Sequence, residues 1–139
     1  MLFSGLCAGI ISADEYTGKG EHILVVDDLA DQRQIAAEML QSLRYKVTAL
    51  VSGEEAATYL EDHAVDLVIL DMIMDPGIDG LETYRRISAG TPGQKVIIAS
   101  GYSESERVRE AQRLGAVAYV KKSYLLAIIG LVVRRTLDS

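Results

Sequence analysis

Five times along the chain, a short apolar run rich in β-branched residues is followed by a segment with helical periodicity. The runs are Ile23–Val26, Val47–Val51, Val65–Leu70, Val96–Ala99 and Val117–Val120. Their length and composition favour strands. Because neighbouring parallel strands need a crossover connection, the alternation predicts a parallel sheet with helices on both faces. The sequence therefore predicts a five-stranded, doubly wound α/β domain.

Local signals mark the beginning of two predicted helices and the end of another. Ser52-Gly-Glu-Glu55 and Ser103-Glu-Ser-Glu106 are capping boxes, in which the serine accepts a backbone N–H and the glutamate reaches back. Gly115 stands where the fourth helix should end.

Size and charge limit the class of protein. A chain of 139 residues is one domain, and its net charge of −6 repels nucleic acid and anionic membranes. The single cysteine, Cys7, cannot form an intramolecular disulfide, which suits a reducing compartment. No apolar run approaches the roughly 20 residues that span a bilayer. We therefore expect a cytoplasmic protein without nucleic-acid or membrane partners.

Residues 1–20 differ from the rest of the chain. They are apolar from Leu2 to Ile11 and then polar and glycine-rich as far as Gly20. Since they lack the basic residue and the cleavage site of a secretory signal, we interpret them as a leader or linker, free to be flexible. The folded domain is then predicted to span residues 21–139.

Polar side chains follow four of the apolar runs at the point where each predicted strand ends. Asp27 and Asp28 follow the first run, Asp71 the third, Ser100 the fourth and Lys122 the fifth. The carboxyl ends of parallel strands share one edge of the sheet, so these residues are expected to converge. Three carboxylates, one hydroxyl and one ammonium would then line a single pocket.

Such a pocket calls for a bound cation. Two like unit charges about 4 Å apart repel by about 4 kcal/mol at an effective dielectric constant of about 20. No His or Cys follows the strands, and oxygen ligands suit a hard cation such as Mg²⁺. A carboxylate beside Mg²⁺ can attack a phosphoryl group and form an acyl phosphate, while the metal and the lysine neutralise the developing charge.

Five segments stand in order along the chain: Val25-Val-Asp-Asp28, Asp66-Leu-Val-Ile-Leu-Asp71, Asp79-Gly80, Ile98-Ala-Ser-Gly101 and Gly115-Ala-Val-Ala-Tyr-Val-Lys-Lys122. Together they resemble the receiver domain of two-component response regulators, and the resemblance covers essentially residues 22–137. It implies a flavodoxin-like fold with strand order 2-1-3-4-5 and five helices. It also implies a switch that takes a phosphoryl group from a histidine kinase or phosphotransfer protein.

The resemblance implies a role for each matching residue of the pocket. Asp71 is expected to be the phosphoacceptor. Asp28, Asp71 and the backbone carbonyl of Ile73 are expected to bind Mg²⁺, and Asp27 would assist as an outer carboxylate.

Three further residues complete the roles that the resemblance implies. Ser100 would be the switch hydroxyl, Lys122 the lysine that pairs with the phosphoryl group, and Tyr119 the aromatic residue whose rotamer follows the switch. Lys121 and Lys122 point to opposite sides of the strand, and the register of the family motif selects Lys122.

The sequence departs from the family pattern at three places. Ser123 replaces a proline that is commonly in a cis peptide; since a non-proline cis bond costs about 2.5–4 kcal/mol, we expect a trans bond or a rearranged turn. The loop from Asp71 to Gly80 is one residue longer than the commonest spacing. Tyr102 is bulky beside the phosphoryl position, and we hypothesise that it excludes the attacking water and prolongs the phosphorylated state.

The last predicted helix leaves two interpretations open. From Tyr124 to Val133 only Gly130 falls outside the apolar set. The helix is either buried against the sheet and the leader, or forms a dimer or partner surface with the fourth helix and fifth strand.

Two other functions remain alternatives to the phosphoacceptor. One is a degenerate receiver that serves as a docking module, and the other is a flavodoxin-like cofactor-binding domain, although a glycine-rich phosphate loop after the first strand is missing. Since the residues after Lys122 suffice for one helix only, we expect no output domain. The chain would then be a stand-alone regulator or the receiver part of a hybrid sensor kinase.

Overall fold

The computed structural model describes residues 16–72, 78–100, 106–113, 115, 118–122 and 126–139. Strands and helices alternate along these residues. The strands are β1 (His22–Val26), β2 (Lys46–Leu50), β3 (Leu67–Asp71), β4 (Val96–Ser100) and β5 (Ala118–Lys121). The helices are α1 (Ala30–Ser42), α2 (Gly53–Asp62), α3 (Gly80–Gly90), α4 (Glu106–Arg113) and α5 (Leu126–Asp138).

The five strands form one parallel sheet in the order β2-β1-β3-β4-β5. Val26 lies opposite Leu70 across β1 and β3, and Ser100 lies opposite Lys121 across β4 and β5. This register aligns the carboxyl ends of the strands. The predicted fold class and strand order are confirmed.

Helices cover both faces of the sheet. Successive residues of a strand point to opposite faces, so Leu24 and Val26 join one core cluster while Ile23 and Val25 join the other. The first cluster also contains buried residues of α2 and α3, and the second contains buried residues of α1 and α5. Each large aliphatic side chain buried in this way contributes about 1.5–3 kcal/mol. Apolar packing thus stabilises the centre of the sheet, whereas polar residues lie at the carboxyl ends of its strands.

The helix termini follow local sequence signals. Ser52 Oγ accepts a hydrogen bond from the Glu55 N–H at 3.1 Å, and the Glu55 carboxylate accepts from the N–H of Val51 at 3.2 Å. The fourth helix ends before Gly115, whose φ of +118° lies in the left-handed region that favours glycine. The second predicted capping box begins at Ser103, which lies outside the described residues.

Residues 16–20, which belong to the predicted leader, contact the folded domain. The N–H of Gly18 donates to the carbonyl of Leu43 at 2.6 Å, and Tyr16 packs against the cluster that contains α1 and α5. A Cβ atom at Gly130 of α5 would lie 2.7 Å from the Tyr16 ring. The domain boundary at residue 20 stays a prediction, and residues 1–15 lie outside the described part of the chain.

The last helix is largely buried. Its buried residues are Ile129, Gly130, Leu131, Val133 and Thr136. Together with the contact of Tyr16, this burial favours the interpretation in which the helix packs against the sheet and the leader, and the dimer surface stays a prediction. Among the described residues, no helix has the length and hydropathy needed to cross a membrane.

Candidate functional site

Four of the predicted site residues meet at the carboxyl edge of the sheet. Asp27 directly follows β1, Asp71 ends β3, Ser100 ends β4 and Lys122 follows β5. Asp27, Asp71 and Ser100 are only 4–6% exposed, and the Lys122 side chain is 12% exposed. Charged groups are seldom buried to this extent unless they are paired or bind a ligand.

Three carboxylates cluster in this pocket. Asp27, Asp28 and Asp71 each offer an oxygen that lies within 4.8 Å of the others, and Asp28 is the most exposed of the three. In the described part of the chain, no other group of His, Cys, Asp and Glu side chains comes together in this way. The all-oxygen donor set fits Mg²⁺, which is typically held by one or two carboxylates with water and phosphate oxygens. We call Asp27, Asp28, Asp71, Ser100 and Lys122 the acidic pocket.

Lys122 bridges two of the carboxylates. Its Nζ lies 2.6 Å from Asp27 Oδ2 and 3.2 Å from Asp71 Oδ1. Its backbone N–H donates to the carbonyl of Ser100 at 2.8 Å, which continues the β4–β5 ladder by one residue and brings the side chain to the pocket. Ser123 lies outside the described residues, so the predicted trans bond is not tested; Lys122 nevertheless reaches Asp71.

All polar groups of Asp27 are engaged. Its N–H donates to the carbonyl of Leu50 at 3.1 Å, and its own carbonyl accepts from Arg33 Nη1 at 2.8 Å. Its Oδ1 accepts from the N–H of Leu29 at 3.0 Å, while Oδ2 faces Lys122. Asp27 is therefore held from four sides, which suits a carboxylate that assists rather than one that binds the metal directly.

Sequence reasoning missed Arg33. An arginine seven residues after a strand end, within a helix, is typical of a solvated helix face, and a backbone carbonyl as acceptor leaves no trace in the sequence. The acceptor could not have been found from the residue pattern alone.

The pocket shifts the protonation of its groups. Burial raises the pKa of Asp71 to about 6, and the charge of Asp27 acts in the same direction, while Lys122 opposes them. Burial alone would lower the pKa of Lys122, but its hydrogen bond to Asp27 and the charge of Asp71 raise it instead. A further positive charge beside Lys122 would relieve the repulsion that raises the pKa of Asp71.

Gly80, the first residue of α3, lies against the backbone at the end of β3. The N–H of Gly80 donates to the carbonyl of Met72 at 2.9 Å. A Cβ atom at Gly80 would lie 2.5 Å from the carbonyl oxygen of Asp71, so a side chain at this position would displace the backbone of the pocket. Asp79 also caps α3, since its Oδ1 accepts from the N–H of Glu82 at 2.9 Å.

Of the remaining predicted residues, Tyr119 lies on β5 and the other two lie outside the described residues. Tyr119 is half-buried and packs against the cluster that contains α2 and α3. Ile73, the predicted carbonyl ligand, and Tyr102, the predicted barrier to water, lie outside the described residues.

Comparison with known proteins gives a consistent result. The family model described as "Response regulator receiver domain" matches residues 23–129. Sporulation initiation phosphotransferase F of Bacillus subtilis (strain 168) is 32% identical over 104 residues, which cover 75% of this chain and 83% of that protein. Virulence sensor protein BvgS of Bordetella bronchiseptica is 39% identical over 98 residues, which cover 68% of this chain but 8% of that protein.

A solved structure supports the same relationship. The structure of the BeF3-activated DrrB receiver domain superposes with a TM-score of 0.75 at 30% identity, covering 87% of this chain and 100% of that one. The similarity therefore includes the whole of a receiver domain.

Proposed function

Because the chain belongs to the response regulator receiver domain family of two-component systems, we propose that it takes a phosphoryl group onto Asp71. Receiver domains interact with histidine kinases or phosphotransfer proteins, and the donor in this proposal is a phosphohistidine of such a partner. One observation carries the proposal: Asp71 is buried at the end of β3 with Lys122 Nζ 3.2 Å from its Oδ1 and two further carboxylates beside it.

The transfer is a displacement at phosphorus. An oxygen of Asp71 forms a bond to phosphorus while the bond from phosphorus to the donor imidazole nitrogen breaks. The electron pair of that bond stays on the imidazole, which leaves as the neutral ring because its other nitrogen carries a proton. Asp71 performs this step as the carboxylate.

The neighbours of Asp71 stabilise the charge that moves. Asp28, Asp71 and the backbone carbonyl of Ile73 would hold Mg²⁺, with Asp27 assisting. When bound, the ion supplies positive charge to the phosphoryl oxygens. Lys122 pairs with one of those oxygens, and the Ser100 hydroxyl donates to another.

The chemical change is the input of a switch. Engagement of Ser100 by the phosphoryl group shifts an existing equilibrium between inactive and active conformations, and the rotamer of Tyr119 follows. The similarity to part of virulence sensor protein BvgS supports a receiver within a hybrid sensor kinase as one context for this switch. We also propose a cytoplasmic location, because a single cysteine cannot form an intramolecular disulfide and so suits a reducing compartment.

Phosphorylation by a small donor tests the proposal. The protein is incubated with acetyl phosphate and Mg²⁺, and intact-mass spectrometry is expected to show one added phosphoryl group that is stable in acid and labile in base. Asp71→Asn is expected to abolish the adduct, whereas Asp62→Asn, at an exposed carboxylate on α2, keeps it. A wild-type protein without the adduct would favour the docking-module alternative, and an adduct on Asp71→Asn would place the chemistry elsewhere.

A further inference from the structure

Arg33 folds back from the first turns of α1 onto the end of β1. Its N–H donates to the carbonyl of Leu29 at 3.0 Å, which places the residue within the helix. Its half-buried side chain reaches the carbonyl oxygen of Asp27, with Nη1 at 2.8 Å. The guanidinium thus fastens the strand end that carries Asp27 and leads into Asp28.

The N-cap residue of α1 contributes little to fixing the connection between β1 and α1. Leu29 occupies the N-cap of α1, where it provides no side-chain hydrogen bond, and it is 56% exposed, so hydrophobic burial does not hold it. Two hydrogen bonds run between this connection and the start of α1 or within the connection itself: from Arg33 to the Asp27 carbonyl, and from the Leu29 N–H to Asp27 Oδ1. Asp28 lies between the residues that these contacts fix.

We propose that Arg33 is a positioning residue for the acidic pocket, holding the Asp27 backbone so that Asp28 presents its carboxylate to Mg²⁺ and Asp27 assists beside it. This inference rests on the proposed function. A hydrogen bond from a charged donor is stronger than one between neutral groups, and it can select one conformation of a three-residue connection. The guanidinium also adds a second positive charge near a cluster of three carboxylates.

Mg²⁺ affinity of the unphosphorylated protein tests the role of Arg33. Partners that orient metal ligands typically change affinity by 10- to 100-fold when they are removed, so Arg33→Gln is expected to raise the Mg²⁺ dissociation constant by about tenfold in calorimetric titration. Arg33→Lys is expected to recover part of the loss, because one ammonium can donate to one carbonyl. Arg135→Gln, at an exposed residue of α5, makes the same change in net charge and is expected to bind Mg²⁺ like the wild type.

A second measurement needs no metal. In the metal-free protein, the amide of Leu29 is expected to exchange with solvent faster in Arg33→Gln than in the wild type, while the thermal unfolding midpoint stays close to that of Arg135→Gln. An unchanged dissociation constant and unchanged exchange would overturn the inference and leave the proposed function intact. If Arg135→Gln weakened Mg²⁺ binding by the same factor, the effect would come from net charge, and this result would also overturn the inference. A wild-type protein that binds no Mg²⁺ and takes no phosphoryl group would overturn both proposals.

Discussion

Two regions of the molecule place one cation between two carboxylates, with opposite consequences. In the acidic pocket, Lys122 lies between Asp27 and Asp71. On α5, Arg134 Nη2 lies 2.8 Å from Glu21 Oε2 and 2.7 Å from Asp138 Oδ1. We call the second group the α5 cluster. Each group pairs one cation with two carboxylates, but the surroundings of the two groups differ.

Burial separates the two groups. The carboxylate side chains paired with Lys122 are 6% and 7% exposed, whereas those paired with Arg134 are 21% and 63% exposed. Burial drives the pKa of Asp71 upward to about 6. Burial also acts upward on Glu21, but the hydrogen bonds from Arg134 and the Lys19 N–H hold its pKa below the usual value, and the hydrogen bond from Arg134 lowers the pKa of Asp138.

The difference distinguishes a binding site from a structural contact. The α5 cluster is satisfied internally, and it fastens residue 21 to α5 beside the Thr17 carbonyl, which lies 3.5 Å from Arg134 Nη1. The acidic pocket has a third carboxylate, Asp28, and a negative excess that its own lysine does not neutralise. A fold tolerates such an excess at a place where a cationic ligand completes it.

The sharpest contrast is expected when each cation is removed. Lys122→Met is expected to slow phosphorylation by acetyl phosphate by about 100- to 1,000-fold, since a donor aimed at the developing charge is lost. Arg134→Met removes the corresponding cation of the α5 cluster and is expected to keep the wild-type rate. The measurement is the rate of adduct formation by mass spectrometry, with each variant checked for folding by circular dichroism.

Two results would break this comparison. Equal slowing in both variants would mean that each cation acts through the stability of the fold. A normal rate in Lys122→Met would remove this lysine from the chemistry and leave its contact with Asp71 as a structural one.

The raised pKa of Asp71 predicts an unusual dependence of stability on pH. Because this carboxyl binds its proton more tightly in the folded state, the free energy of unfolding falls as the pH rises through the interval from the unfolded pKa of about 4 to the folded pKa of about 6. The loss is up to about 3 kcal/mol, since one unit of pKa corresponds to about 1.4 kcal/mol. In urea titrations without Mg²⁺, Asp71→Asn is expected to exceed the wild type in stability at about pH 7 and to lose that advantage near pH 4.

A matched variant separates this effect from general acidity. Asp62→Asn also removes a negative charge, but from an exposed position, and serves as the control for the change in net charge. A wild type more stable than Asp71→Asn at neutral pH would show that the pair with Lys122 outweighs the burial of the carboxylate.

The sequence predicted the sheet and the convergence of its polar residues for one physical reason. A strand buried on both faces must be apolar throughout, so the first charged residue after it marks the end of the strand. Asp71 directly follows the run that ends at Leu70, and Lys122 lies two residues after Val120, where the last run ends. Parallel pairing then brings these ends to one edge whatever their distance along the chain.

The rest depends on contacts that have no sequence signature. Arg33 binds a backbone carbonyl, and Arg134 pairs with Glu21 from the far end of the chain. The packing of Tyr16 on Gly130 depends on the tertiary position of α5. The glycine-rich composition before residue 21 does not indicate this contact. Charged residues on helices resemble a solvated face until the fold shows what lies opposite them.

The smallest expected effect concerns this contact of Tyr16 with Gly130, beside the α5 cluster. A methyl group at residue 130 would lie 2.7 Å from Tyr16 Cδ1 and 2.9 Å from Tyr16 Cβ, and overpacking of this kind costs about 1–3 kcal/mol, against about 1 kcal/mol gained in helix propensity. Gly130→Ala is therefore expected to lower the free energy of unfolding by about 1 kcal/mol and to leave phosphorylation unchanged. In a Tyr16→Gly background the same substitution is expected to become neutral or stabilising, since the only close contact left is that with the flexible end of Leu43, at 3.1 Å from its Cδ1. Additive effects of the two substitutions in urea titrations would show that Tyr16 does not pack on α5 in solution.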